Sequence, residues 1–149
     1  MEIAVKIEGL DKLSANLTQV RASIEKELTG AIRSAAEKVR GEAIQSILEG
    51  SKSGRVYKRG NVTHRASAPG EAPASDTGRL ASSIQVIQTG LESLVIAGRG
   101  QVKYARFLEF GTSKMAERPF MIPALEKSRA WITTRLQKAV KDGVKKVKP

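Results

Sequence analysis

DKLSANLTQVRASIEKELTGAIRSAAEKVRGEAIQSIL, residues 11–48, is the stretch on which the fold turns. Leu13, Leu17, Val20, Ile24 and Leu28 recur at steps of three and four, and Ala31, Ala35, Val39, Ala43 and Ile47 continue the pattern. That period places one apolar stripe along an amphipathic helix. Asp11 stands where a side-chain cap can take up a free N–H of the first turn. Gly30 and Gly41 each cost a helix about 1 kcal/mol relative to Ala, so a bend or short turn between 20 and 30 is expected, then a long helix to about 48. The small residues Ala31, Ala35 and Ala36 leave room for a second backbone to come close.

Working outward, Ile3, Val5 and Ile7 alternate with Ala4, Lys6 and Glu8, a strand pattern over 3–8 that Gly9 breaks. Gly50 ends the helix. Residues 51–78, SKSGRVYKRGNVTHRASAPGEAPASDTG, hold few aliphatic side chains and carry Lys52, Arg55, Lys58, Arg59 and Arg65 against Glu71 and Asp76. Such a stretch buries too little apolar surface to offset its ordering entropy, which predicts a long flexible basic loop inserted into one domain spanning 1–149. Ser83–Thr89 and Leu94–Ala97 read as strands turning at Gly90, and with 3–8 they predict a small, mainly antiparallel sheet. Tyr104, Phe107 and Leu108 predict a short helix over 103–110 that Gly111 stops. RPFMIP reads as an extended piece or tight turn, and Pro123 as the first position of a last helix, with Leu125, Ile132, Leu136, Val140 and Val144 as its stripe and Trp131 beside it. The order gives an α+β class, a small sheet packed with a long N-terminal and a C-terminal helix. Of six aromatic residues only Tyr57 precedes position 100; Tyr104, Phe107, Phe110, Phe120 and Trp131 follow, which predicts the densest packing there, as a local core or as a buried contact with a partner.

Composition narrows the chemistry. Lys and Arg number 26 against 15 Asp and Glu, a formal charge of +11. The chain has no cysteine, which excludes disulfides, thiolate zinc sites, iron–sulfur clusters and a Cys nucleophile, and its one histidine is His64. The opening MEIAVKIEGL alternates rather than running apolar, unlike a secretory signal, and no window approaches a membrane span. Gly111-Thr112-Ser113-Lys114 and Gly98-Arg99-Gly100 resemble phosphate-binding loops in composition but lack their order, so both read as turns. His64 has no acid within six residues and sits among polar neighbours, which favours a solvated side chain or a partner contact over a general base. Glu109 lies inside the aromatic run FLEFGT and needs a partner, for which Arg106, Arg118 or an arginine of a neighbouring chain is available; a structural ion pair is the expectation. No paired-carboxylate spacing suits a metal-dependent nuclease, and no catalytic, cofactor or metal residues are assigned. From Lys127 onward eight basic residues, at 127, 129, 135, 138, 141, 145, 146 and 148, face Asp142 alone, and 142–149 forms a basic tail. The basic segments suit either non-specific phosphate contact or a solvated, protein-binding face, since sequence-reading modules are missing.

Taken together, IEGLDKLSANL, HRASAPGEAPASDTGRLASSI, YARFLEFGTSKMAERPFMIPAL and the closing amphipathic helix resemble the tail-completion proteins of tailed bacteriophages, a family of minor tail or neck components. Its marks here are Asp76, Thr77, Gly78, Arg79 and Leu80 leading to Ser83-Ile84, and Glu109, Phe110, Gly111 and Thr112 leading to Arg118, Pro119 and Phe120. The resemblance implies a virion protein, assembled in the host cytoplasm, whose copies form a homo-oligomeric ring of expected order six at the head–tail junction. Its implied partners are a head-closure or connector protein and the tail tube or tail terminator, with double-stranded DNA passing non-specifically through the channel and no membrane involved. It implies no cofactor and no catalytic residues. The basic length of 51–66 exceeds a minimal member, and Arg55, Tyr57, Lys58, Arg59 and Arg65 are the residues expected to touch an adjacent ring or neighbouring subunit. The competing class is a non-specific DNA-binding architectural protein, and an enzyme would have only His64 and Glu109 to work with.

Overall fold

A computed structural model describes residues 8–100 and 102–147. The strand expected over 3–8 therefore lies outside the described residues, apart from Glu8, which belongs to no element. Helix α1 runs unbroken from Leu10 to Leu48, without the turn expected near 20–30. Gly30 sits on an exposed face with open space where a side chain would be, so it weakens the helix without interrupting it. The N-cap is Gly9, and Asp11 lies inside the first turn, where its charge still suits the positive helix end.

The segment expected as a loop instead contains a hairpin, β1 (Val56–Arg59) paired antiparallel with β2 (Val62–Arg65). A second hairpin, β3 (Gln85–Thr89) with β4 (Glu92–Ile96), forms a separate two-stranded sheet. Both close over two residues of which the first is glycine, Gly60 at φ 62° and Gly90 at φ 56°. That left-handed conformation is what a tight hairpin turn demands and glycine supplies freely. The signal for β1–β2, Gly60-Asn61 between Val56-Tyr57 and Val62-Thr63, is present in the sequence but is outweighed there by the surrounding charge.

Short α2 (Arg79–Ser82) leads into β3, α3 (Ala105–Phe110) ends at Gly111, and α4 spans Met121–Lys145. Pro123 is the third residue of α4, not the first. The core gathers Val39, Ala43 and Ile47 of α1 with Leu80, Ala81, Ile84, Val102, Ala105, Phe120 and Ala124. Helix α4 lies antiparallel along α1, with Lys127 paired to Glu42 at one end and Lys146 to Glu27 at the other, each at 2.5 Å. The side-chain hydrogen bonds from Lys127 and Lys38 hold Glu42 below the usual carboxylate range, and the hydrogen bond from Lys146 does the same for Glu27.

The helix interface corrects the stripe expected for α4. Its buried residues are Ala124, Ser128, Ala139 and Gly143, while Leu125, Trp131, Val140 and Val144 are exposed. A Cβ on Gly143 would stand 2.6 Å from Ile24 Cα, so the backbones meet where only hydrogen fits. Small residues win this face because close helix approach excludes large ones; of the expected stripe Ile132 and Leu136 stay half-buried, Ile132 against the core, and Leu125, Val140 and Val144 are turned onto the flank.

The aromatic segment is corrected in the same way. Phe120 is 1% exposed, but Phe107 and Phe110 are 53% and 65% exposed, and Tyr104 and Trp131 are also open to solvent. Of the two readings offered for this cluster, a local core holds only for Phe120.

Candidate assembly surface

The β1–β2 hairpin stands out as an arm. Every residue of β1 is exposed, and His64 alone in β2 is half-buried. Alternation puts Lys58 and Arg65 on one face and Tyr57, Arg59, Val62 and His64 on the other. Tyr57 and His64, directly opposite one another, stack with ring centroids 5.7 Å apart. Arg59 forms an ion pair with Asp76, and His64 Nε2 lies 3.4 Å from the other carboxylate oxygen. The fold thus brings to His64 the acid that its sequence neighbourhood lacks, an acid already paired with Arg59. Arg55 is at the root, where its carbonyl accepts the Ala66 N–H.

Glu71 ties this root to the body. Its carboxylate accepts the Ser53 hydroxyl, the Ser53 N–H and the Ala68 N–H, and these bonds hold it at about 2 instead of 4.5. Lys52, reaching back to the carbonyls of Ser46 and Ala72, is lowered by partial burial.

Between the arm and the body opens a cleft of about 400 Å³ lined by Tyr57, Asp76, Thr77, Gly78, Arg79, Tyr104 and Arg118, among others. Both sequence marks meet here, yet most of their residues shape the chain. Leu80 and Ile84 are core, the Gly78 carbonyl accepts the Ser82 N–H, and Arg40 Nε donates to the Ile84 carbonyl at 2.9 Å. Thr112 bridges to Met115 in a tight turn after Gly111. Arg118 donates to the carbonyls of Ser67 and Ala116, and Pro119 is half-buried. Thr77, Arg79 and Phe110 are exposed members whose side chains make no hydrogen bond or ion pair among the described residues.

Glu109 does not make the ion pair expected of it. It is buried, and no arginine pairs with it among the described residues; its carboxylate accepts the N–H groups of Phe120, Met121 and Ile122 at 2.9, 3.0 and 2.8 Å. The first four N–H positions of a helix lack internal partners. In α4 these are Phe120, Met121, Ile122 and Pro123. Three are capped by one carboxylate and the fourth, a proline, has no N–H to satisfy. Glu109 is a buried helix cap reaching across from α3, which is why the acid sits among aromatics without an ion pair.

Two apolar surfaces escape sequence reading, because periodicity reveals a stripe but not what covers it. Leu10, Leu13 and Leu17 of α1 are each more than half exposed. An open groove of about 420 Å³ runs between α1, β4 and α4, lined by Ile32, Ala36, Val39, Val95, Leu125 and Leu136, among others. On the basic tail, Lys127, Arg129 and Lys146 are paired with acids, whereas Lys138, Lys141 and Lys145 have no ion pair among the described residues; Lys148 lies outside them. Among the described residues no group of three or more His, Cys, Asp or Glu is placed to hold a metal ion, and no helix is long and apolar enough to cross a membrane.

The molecule is a body held by α1–α4 packing that carries a basic arm and uncovered apolar faces. Residues 11–111 match the family described as "Bacteriophage HK97-gp10, putative tail-component". The chain belongs to that family. It is thereby a structural tail component of a tailed bacteriophage, with a place in the virion and other virion proteins as its contacts. The family match runs from α1 through α3, so α4 and the Arg118-Pro119-Phe120 mark fall beyond it. No curated protein and no solved structure matches the chain.

Proposed function

We propose that this tail component is the ring-forming subunit of tail completion, joining the tail tube to the head-closure or connector complex, with six copies around a channel that passes double-stranded DNA. The observation that carries this reading is the pairing of an exposed cationic arm with large uncovered apolar faces on a small body. Monomeric proteins rarely leave such faces bare, and a ring subunit needs two different lateral faces. The arm residues Arg55, Tyr57, Lys58, Arg59 and Arg65, with Arg79 and Phe110 beside the cleft, are the proposed contacts to an adjacent ring or neighbouring copy.

The test is native mass spectrometry of the full chain, alone and mixed with tail tubes, beside phage assembly with residues 56–65 replaced by a short Gly-Ser linker. The replacement spares the core and the Glu71 bonds, so a folded protein that fails to join heads to tails is the expected result. Normal assembly of the shortened protein removes the arm from the joining contact, and a protein that stays monomeric with tail tubes present removes the ring.

A second reading, sequence-independent DNA binding, is favoured by Lys138, Lys141 and Lys145. They follow one edge of α4 at i, i+3 and i+7 without acidic partners among the described residues. A duplex-binding titration against salt separates the readings: tight binding with a steep salt slope supports the lysine edge, and weak binding at physiological salt returns it to solvent.

A further inference from the structure

The apolar stripe of α1 is continuous, but its covering is not. From Ile24 onward α4 and the β3–β4 hairpin lie against it, with Gly143 at Ile24 and the Gln88 side chain bonded to the Thr29 carbonyl. Residues 8–19 are all exposed, and Leu10, Leu13 and Leu17 stand there at i, i+3 and i+7, the anchor spacing of a helix that lies in a groove. The same molecule offers such a groove in Ile32, Ala36, Val39, Val95, Leu125 and Leu136.

Leu13 and Ala35 are 22 residues apart on one unbroken helix, which is about 33 Å at the helical rise. The leucines therefore cannot reach their own chain's groove, and only a second copy can bring the two surfaces together. Charge permits the approach: in a chain of +11, residues 10–20 hold one acid, Asp11, and one base, Lys12. We infer that the leucine end of α1 from one copy seats in the groove between α1, β4 and α4 of the next. The contact is head-to-tail, so it propagates around a ring. Three leucines bury well under the roughly 800 Å² per partner of a standard interface, so an isolated pair is weak and closure of the ring supplies the rest. This inference rests on the oligomeric reading above and adds the seat of the contact.

The native absence of cysteine makes the test direct. Leu13→Cys and Leu125→Cys change exposed side chains, so both full-length variants are expected to fold. Mixed at a concentration where the native chain self-associates and then oxidised, they are expected to give a disulfide-linked pair at least roughly tenfold above either variant alone. Leu17→Asp is expected to weaken self-association by roughly tenfold or more while leaving the melting temperature of the dilute, unassociated chain unchanged. Cross-linking of Leu13→Cys with itself as the main product, or an oligomer that forms without the mixed pair, overturns this seat while leaving the ring reading intact. A native chain that never self-associates, with or without tail tubes, overturns both.

Discussion

The two hairpins are built by the same local rules and end in opposite situations. Each pairs short strands across a two-residue turn that begins with glycine. In β3–β4 the strands supply Val86, Ile87, Val95 and Ile96, all half-buried, with Val95 packed on the core, and Ile84 at the base is fully buried. In β1–β2 the alternation supplies charge, and nearly every side chain faces water. The difference teaches that turn chemistry makes a hairpin, whereas the face it presents decides whether that hairpin becomes core or arm.

Ile84→Ala tests the buried side of that contrast and has the largest expected effect, a loss of about 2–4 kcal/mol in denaturant unfolding from the cavity it leaves. A loss under about 0.5 kcal/mol would place β3–β4 with the arm. Next comes the acid serving the core. Glu109→Ala leaves the N–H groups of Phe120, Met121 and Ile122 without their acceptor and is expected to cost about 2 kcal/mol. Glu109→Gln keeps one acceptor oxygen and is expected to recover part of that loss.

The acid serving the arm sharpens the comparison by pH. Glu71 is depressed, so its contribution is complete above its ordinary value of 4.5 and fades as pH falls toward about 2. Protection of the Ser53 and Ala68 amides, measured against their intrinsic exchange rates, is expected to fall across that window while protection in β3–β4 does not follow it. Glu71→Gln should show the lost protection already at neutral pH. An arm root unchanged by acid and by the substitution would mean that these bonds do not hold it. The smallest effect is expected at the arm itself: Val56→Ala and Tyr57→Ala should each shift unfolding by no more than about 0.5 kcal/mol, and any larger shift would show the arm packed on the body.

How much of this was legible depends on the kind of signal. Glycine turns, the period of α1 and the stop at Gly111 act locally, and β3, β4, α1 and α3 follow from them. The β1–β2 strands carry a local signal too, Gly60-Asn61, but composition argues the other way, because low apolar content tests for a core and not for a hairpin. Glu109 reads as an acid in need of a partner. That its partner would be a helix end eleven residues away was beyond reach, because the cap exists only once α3 and α4 are placed.

The sequence by itself determined the α+β class, the long first helix, the cationic insertion and the absence of cysteine chemistry, since each depends on residue type and spacing along the chain. Tertiary structure alone decided which side chains are inside. Helix α4 meets α1 through Ala124, Ser128, Ala139 and Gly143 because two backbones in close contact leave space only for small groups. That choice turned Leu125, Trp131, Val140 and Val144 outward, and with them the faces on which this tail component is proposed to assemble.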